Sequence, residues 1–134
     1  MTTDLKMLVA SAMLTMAVVA PYGLYMWSRW PLGVVLGNRD SDLPELPAWA
    51  QRARRAQQNL LENFPHFAAF VVAANLAGLD NGLTALGASI FFWARLVHAV
   101  SYVTGVWRLR APAYFAGLGG EFLILSQLLW PHQQ

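Results

Sequence analysis

The sequence predicts an all-α integral membrane protein, a four-helix bundle formed by one domain over residues 1–134. Three observations support this fold class. The chain is 57% hydrophobic and only 12% charged, which leaves few ionisable groups to solvate the surface of a globule in water. Its apolar residues are grouped in segments of about 20 residues, the length that an α-helix needs to cross a bilayer. Short polar or proline-rich segments separate them, so that the length of the chain accommodates four spans.

The first predicted span covers about residues 7–28 and contains no charged residue. It closes on an aromatic cluster typical of a membrane interface, formed by Tyr22, Tyr25, Trp27 and Trp30. A cleaved signal peptide is the alternative, because Lys6 precedes the apolar stretch. Pro21 directly after Ala20 is a poor cleavage context, and the apolar character continues beyond it, so we expect a transmembrane helix.

Turn signals divide the rest of the chain. Segment 31–47 contains three prolines and is predicted to be a loop, segment 80–82 (Asp-Asn-Gly) to be a turn, and segment 108–112 to break the third helix. The three remaining spans are therefore expected at about residues 48–79, 83–107 and 111–130.

The distribution of basic residues predicts the orientation. Seven of the nine lie in or beside the first and third loops, namely Arg29, Arg39, Arg52, Arg54, Arg55, Arg108 and Arg110. Lys6 lies at the opposite end and Arg95 lies inside a span. The positive-inside rule therefore predicts that both termini lie outside the cytoplasm and that the arginine-rich end is cytoplasmic.

Several classes of function are excluded by composition. The absence of cysteine rules out disulfides, thiolate metal ligands and a cysteine nucleophile. The three histidines, His66, His98 and His132, show no paired ligand spacing, so we expect no metal site. A net charge of +2 is too small to suggest a nucleic-acid partner.

Two polar stripes carry the chemistry. On the second predicted helix, five polar residues project within roughly an 80° sector: Arg52, Arg55, Asn59, Glu62 and His66. On the third, one face carries Arg95, His98 and Tyr102. We expect the stripes to meet near the cytoplasmic end. Ionisable residues within spans are costly and usually functional, which favours a binding site.

Structural alternatives exist for some of these residues. Basic residues at helix ends, such as Arg52 and Arg54, are often interfacial anchors. Glu62 and Arg95 are compatible with an interhelical ion pair that fixes packing. His66 is more readily interpreted as a hydrogen-bonded packing residue, and the pattern gives no role to Glu121.

The chemical profile of the stripes matches a small zwitterionic ligand with several carboxylates. Guanidinium groups bind carboxylates, the Glu62 carboxylate suits an ammonium group, and the Asn59 amide and Tyr102 phenol suit peptide atoms. Glutathione has this profile, and the surrounding lipid supplies apolar co-substrates.

Two motifs resemble a known family. Segment 55–65, RAQQNLLENFP, resembles the RAxxNxxExxP signature of the membrane-associated proteins in eicosanoid and glutathione metabolism, the MAPEG family. Segment 95–102, RLVHAVSY, followed by Gly105 and Arg110, is similar to the third-helix segment of that family. The GNRD loop at 37–40 is similar to that of its short bacterial members, and the resemblance covers nearly the whole chain.

The resemblance implies a homotrimer with glutathione sites between neighbouring subunits. It implies glutathione contacts from Arg55, Gln57, Asn59, Glu62, His98 and Tyr102, with Arg52 and Arg95 as secondary candidates. The thiolate-stabilising arginine of the family follows the third helix. An ungapped match to the leukotriene-synthase type falls on Leu109, between Arg108 and Arg110, and the spacing after Gly105 favours Arg110, with Tyr102 as a second catalytic candidate. Asn63 replaces the tyrosine of some eicosanoid-forming members, so eicosanoid specificity is not implied.

The sequence therefore predicts a glutathione transferase of the bacterial inner membrane, with peroxidase activity as a related reaction, acting on lipophilic electrophiles. One alternative is a non-catalytic membrane protein that binds glutathione or lipid and retains the site without turnover. Another is a small transporter or channel subunit. That alternative predicts polar residues at both ends of the spans, whereas here they gather at one end.

Overall fold

The computed structural model describes residues 1–38 and 43–130, and within these residues the protein is helical and contains no strand. The prediction of an all-α protein is thus confirmed. In chain order the helices are α1 (Thr3–Arg29), α2 (Leu32–Leu36), α3 (Ala48–Leu76), α4 (Gly82–Thr104) and α5 (Arg110–Leu129), with a 3₁₀ turn at Trp107–Leu109. Arg39, Asp40 and His132 lie outside the described residues.

The four long helices begin and end within a few residues of the predicted spans. Segment 31–47, predicted to be a loop, contains the five-residue helix α2, which no periodic pattern of that length can signal. Two helices, α1 and α4, are long and apolar enough to cross a bilayer. The polar first half of α3 and the glycines, Glu121 and Gln127 of α5 lower the mean hydropathy of those helices. The four-span topology therefore stays a prediction.

Two apolar clusters hold the helices together. The larger joins α3, α4 and α5, and in it the Phe67 and Phe91 rings stack with their centroids 3.8 Å apart. The smaller joins α1 to the start of α3 through Tyr22, Ala50 and Ala53. Many large apolar side chains remain exposed, as expected for a surface that contacts lipid or other subunits.

Glycines allow α4 and α5 to approach closely. A Cβ atom on Gly87 would lie 2.5 Å from the Gly120 carbonyl oxygen, and a Cβ atom on Gly120 would lie 2.5 Å from the Gly87 carbonyl oxygen. Small residues at such a crossing are typical of helices that pack in membranes. The crossing fixes the position of α5 against α4 and thus of the residues at the start of α5.

The predicted turn between the second and third long helices is confirmed. Asn81 caps α4 by accepting hydrogen bonds from the backbone N–H groups of Leu83 and Thr84. The buried Asp4 carboxylate accepts a 2.8 Å hydrogen bond from the Asn75 amide, which ties the start of α1 to this end of the bundle. The opposite end contains the starts of α3 and α5 and the ends of α1 and α4.

Candidate functional site

A cavity of about 400 Å³ lies among α3, α4, α5 and the 3₁₀ turn. It is lined by Asn59, His98, Tyr102, Trp107, Arg110, Ala111, Tyr114 and Phe115. Four of these residues, Asn59, His98, Tyr102 and Arg110, were predicted site residues. One chain therefore brings together both predicted catalytic residues and three predicted glutathione contacts, with Tyr102 belonging to both groups.

Arg110 and Tyr102 are adjacent within this cavity. The Arg110 guanidinium carbon lies 4.7 Å from the centroid of the Tyr102 ring, a cation–π contact. The Tyr102 ring in turn meets His98 at a centroid distance of 5.2 Å with the rings 62° apart. His98 is buried, and its Nδ1 has no hydrogen-bond partner among the described residues. The cavity wall thus combines a cation, a phenol and an imidazole.

Arg95 lies behind the wall and is completely buried, with 0% of its surface exposed. Its guanidinium donates hydrogen bonds to Asn59 Oδ1 at 3.2 Å and to Asn63 Oδ1 at 2.8 Å. The rings of Phe91 and Tyr114 each lie 5.1 Å from its Cζ. Because the Asn59 carbonyl oxygen is held by Arg95, the Asn59 amide is oriented before any ligand binds.

The structure pairs Arg95 with asparagines rather than with Glu62, so the interhelical ion pair considered from the sequence does not form. Gly117 leaves the space that Arg95 needs, since a Cβ atom there would lie 3.1 Å from Arg95 Nε. Sequence reasoning missed the supporting role of Asn63. Its position one turn after Asn59 was the signal, since i and i+4 residues share a face.

Arg55 and Glu62 do not reach the cavity. Arg55 is exposed and lines a second cavity of about 370 Å³ together with Trp30, Arg54, Gln58 and the segment that precedes α3. Glu62 is exposed and accepts a 3.4 Å hydrogen bond from Gln58 Nε2. In a single chain the two stripes therefore meet at Asn59 and Arg95, and Arg55 and Glu62 lie outside that contact.

The helical period explains this separation. Relative to Asn59, a rotation of about 100° per residue turns Arg55 and Glu62 to one side by about 40° and 60°, and Asn63 to the other side by about 40°. Asn63 consequently faces Arg95, and the two charged residues face outward.

Two other predicted contacts make structural hydrogen bonds. The Nε of Arg52 donates to the Val103 carbonyl oxygen at 3.3 Å, near Gly105, whose φ of +84° ends α4. A cation at the end of a helix interacts favourably with its unpaired carbonyl groups. The Tyr22 hydroxyl donates to Gln57 Oε1 and links α1 to α3.

Arg108 and Arg110 have different surroundings. Arg108 is exposed, and its Cζ lies 5.5 Å from the ring of its neighbour Trp107. Arg110 is half-buried and lines the cavity. Of these two arginines, Arg110 is thus the one that can contact a molecule held beside Tyr102.

The chemistry available in the cavity is that of an anion site. Arg110 supplies a fixed cation, Tyr102 a hydroxyl donor and Asn59 an oriented amide. In the described part of the chain, no three His, Asp or Glu residues are grouped as metal ligands require. The cavity therefore suits a thiolate or carboxylate bound through hydrogen bonds and charge.

Comparison with known proteins agrees with the two motifs. A search of curated proteins found no significant match. The model of the MAPEG family, in contrast, matches residues 5–130 of this chain. Because that match spans nearly all 134 residues, the chain belongs to the MAPEG family.

Proposed function

We propose that the protein is a membrane-bound glutathione transferase that joins the glutathione sulfur to lipophilic electrophiles. The family includes glutathione transferases and related proteins, and two apolar helices support a membrane protein. The single observation that carries the proposal is the cavity in which Arg110 lies over Tyr102 beside Asn59 and His98. A nearby cation and a hydroxyl donor favour ionisation of a bound thiol, and an oriented amide suits the peptide atoms of the ligand.

Arg110 and Tyr102 act on the sulfur. A thiol is weakly nucleophilic until it loses its proton, and a nearby guanidinium lowers the pKa of a bound thiol by stabilising the thiolate. The Tyr102 hydroxyl donates a hydrogen bond to the same sulfur, and the proton that the thiol loses is released to water. The thiolate then forms a carbon–sulfur bond to the electrophile, and the leaving group departs with the bonding electrons. With a hydroperoxide as substrate, two glutathione molecules are oxidised to the disulfide while the hydroperoxide is reduced to an alcohol and water.

Arg55 and Glu62 bind the ends of glutathione in a homotrimer. Both are exposed and turn away from the cavity of their own chain, so they are available to a neighbouring subunit. Arg55 pairs with a carboxylate and Glu62 with the ammonium group. The exposed apolar side chains supply the surface for trimer formation. The site is then composite, with the cavity from one subunit and the charged residues from the next.

The site lies at the cytoplasmic end of a protein of the bacterial inner membrane. The basic residues near the starts of α3 and α5 support this orientation through the positive-inside rule. Cytoplasmic glutathione enters from water, and the apolar substrate arrives from the bilayer. A reporter fused to the C-terminus and active only in the periplasm tests the orientation.

The function is tested with the full chain in lipid nanodiscs. Glutathione binding is measured by titration calorimetry, and conjugation is measured with 1-chloro-2,4-dinitrobenzene, whose product absorbs in the near ultraviolet. We expect saturable binding together with conjugation above the rate of empty nanodiscs. Binding without turnover against a panel of electrophiles and a hydroperoxide would favour the non-catalytic alternative. No binding at all would remove both.

A further inference from the structure

Two buried residues of opposite charge lie behind the cavity of the proposed glutathione site. Arg95 on α4 is completely buried, and Glu121 on α5 is 3% exposed. Neither side chain lines the cavity. Ionisable residues inside a membrane protein are costly and usually serve its function, so a role is expected for Glu121 as well as for Arg95.

The Arg95 guanidinium has a charge that its hydrogen bonds do not balance. Its two terminal nitrogens donate to the side-chain oxygens of Asn59 and Asn63, and both of these amides are neutral. Its Nε has no hydrogen-bond partner among the described residues. Because a charge buried away from water is strongly unfavourable unless an opposite charge is near, the guanidinium requires a negative group in its surroundings.

Glu121 supplies that negative group. The Arg95 and Glu121 side chains interact electrostatically, and in an interior without water charges attract over several ångströms. The Arg95 Nε packs on α5 at Gly117, where a Cβ atom would lie 3.1 Å from it, and Glu121 follows Gly117 by one helical turn. In the described part of the chain, Glu121 Oε1 also has no hydrogen-bond partner. The unpaired donor and the unpaired acceptor thus belong to side chains of opposite charge on the same side of α5.

His66 anchors the carboxylate on a third helix. Its Nδ1 lies 2.9 Å from Glu121 Oε2. His66 follows Asn63 by three residues, so both side chains project from the same side of α3. One oxygen of Glu121 is therefore held on α3, which fixes the position of the negative charge relative to Arg95.

We propose that Glu121 is a positioning residue of the glutathione site, whose charge keeps the Arg95 guanidinium in place so that Arg95 orients Asn59. Without the carboxylate, the guanidinium stays charged in an apolar interior and turns towards other negative groups, including an anion in the cavity. The Asn59 amide then loses its fixed orientation. The effect on glutathione rests on the proposed function, whereas the pairing of Glu121 with Arg95 does not.

A double-mutant cycle tests the pairing in the full chain without any ligand. Glu121→Gln removes the charge and keeps an oxygen that accepts a hydrogen bond from His66. Arg95→Met removes the cation. Loss of one member of a buried ion pair leaves a charge uncompensated, whereas loss of both members is often tolerated. We expect Glu121→Gln to lower the midpoint of thermal unfolding in the parent protein but not in Arg95→Met.

Losses that simply add would overturn the proposal. Should Arg95→Met fail to fold by itself, recovery of a folded protein on adding Glu121→Gln is the equivalent supporting result, and no recovery is the contrary one. If the parent protein does not bind glutathione, the proposed function fails, and this cycle still decides whether the two charges are paired.

Glutathione titration tests the positioning role. We expect Glu121→Gln to bind glutathione several-fold more weakly, with the pH dependence of the thiolate unchanged because Arg110 is untouched. In the Arg95→Met background the same substitution should have no further effect on affinity, since no guanidinium remains to be positioned. A merely structural role for Glu121 would weaken binding equally in both backgrounds, and an unchanged affinity in Glu121→Gln would refute the assignment.

His66→Leu is the matched control. It removes the other partner of Glu121 and leaves both charges of the proposed pair in the protein. We expect a smaller loss of glutathione affinity than in Glu121→Gln, although Glu121→Gln retains the oxygen that His66 contacts. A loss of affinity in His66→Leu as large as that in Glu121→Gln would show that Glu121 acts by holding α3 and not through Arg95.

Discussion

The Arg110 guanidinium lies over the Tyr102 ring, 4.7 Å from its centroid, although the two residues belong to different helices. Gly105 makes this possible, because its positive φ ends α4 and lets the chain turn through the 3₁₀ segment into α5. The contact fixes the guanidinium at the cavity wall, where it is available to an anion beside the tyrosine hydroxyl.

The first prediction concerns Arg110→Ala. If the guanidinium stabilises the thiolate, its removal acts on ionisation more than on docking, because other groups bind the glutathione carboxylates. We expect glutathione affinity to change little while thiolate absorbance near 240 nm appears at higher pH. Conjugation at neutral pH should fall by roughly one to two orders of magnitude.

Arg108→Ala is the matched control for that experiment. Arg108 has the same charge but is exposed, and its guanidinium lies over the ring of its neighbour Trp107. The control should therefore conjugate at nearly the parental rate. Equal losses in both variants would indicate a general electrostatic effect at the membrane surface, and loss in Arg108→Ala alone would reverse the assignment.

The second prediction tests Arg95 as a positioning residue without removing its charge. In Gly117→Ala the new methyl group would meet Arg95 Nε and Cζ at 3.1 and 3.3 Å, so the guanidinium must move by a few tenths of an ångström, which strains its hydrogen bond to Asn59. We expect glutathione to bind several-fold more weakly, with the pH dependence of the thiolate unchanged because Arg110 is untouched. Titration calorimetry and the thiolate spectrum measure the two effects.

Gly119→Ala is its control, since a Cβ atom there meets nothing within 4 Å. It carries the same substitution on the same helix and should bind glutathione like the parent protein. An unchanged affinity in Gly117→Ala would mean that the contact between Arg95 and Asn59 does not orient the ligand.

The sequence was sufficient to predict the long helices and half of the cavity. Apolar segments of membrane-spanning length mark helices directly, and residues such as His98 and Tyr102 share a face by spacing alone. The division of the α3 stripe was not predictable in this way. It depends on how α3 is rotated against α4 and α5, which is set by the stacking of Phe67 on Phe91 and by the position of Arg95 against Asn63.

The third prediction concerns the crossing of α4 and α5. Gly120→Ala would bring a methyl group within 2.5 Å of the Gly87 carbonyl oxygen and 2.9 Å of the Phe91 nitrogen, which are backbone atoms that cannot rotate away. Overpacking of this kind costs about 1–3 kcal/mol of unfolding free energy. Thermal unfolding in detergent should show the loss.

Gly119→Ala serves again as the comparison and should be neutral or slightly stabilising, because alanine has a higher helix propensity than glycine. A Gly120→Ala variant as stable as the parent would contradict the close crossing.

The last prediction asks whether Arg55 and Arg110 act on one glutathione molecule from different subunits. Arg55→Ala should weaken glutathione binding by roughly tenfold or more, because a charge-assisted contact is lost, and Arg110→Ala should lose turnover. Each variant alone then keeps about a tenth or less of the parental rate when glutathione is kept well below the concentration that half-saturates the parent protein. Co-expression of the two variants gives mixed trimers. If each site takes Arg55 from one subunit and Arg110 from the next, about one quarter of the sites in a random mixture carry both arginines, and conjugation should recover to about that share of the parental rate. If both arginines serve a site within one chain, no mixed trimer contains an intact site, and activity stays at the level of the separate variants.

The two variants purified apart and mixed without subunit exchange provide the baseline. A monomer in native mass spectrometry, or no recovery in trimers shown to be mixed, would refute the composite site while leaving the cavity of Arg110 and Tyr102 as the candidate within a single chain.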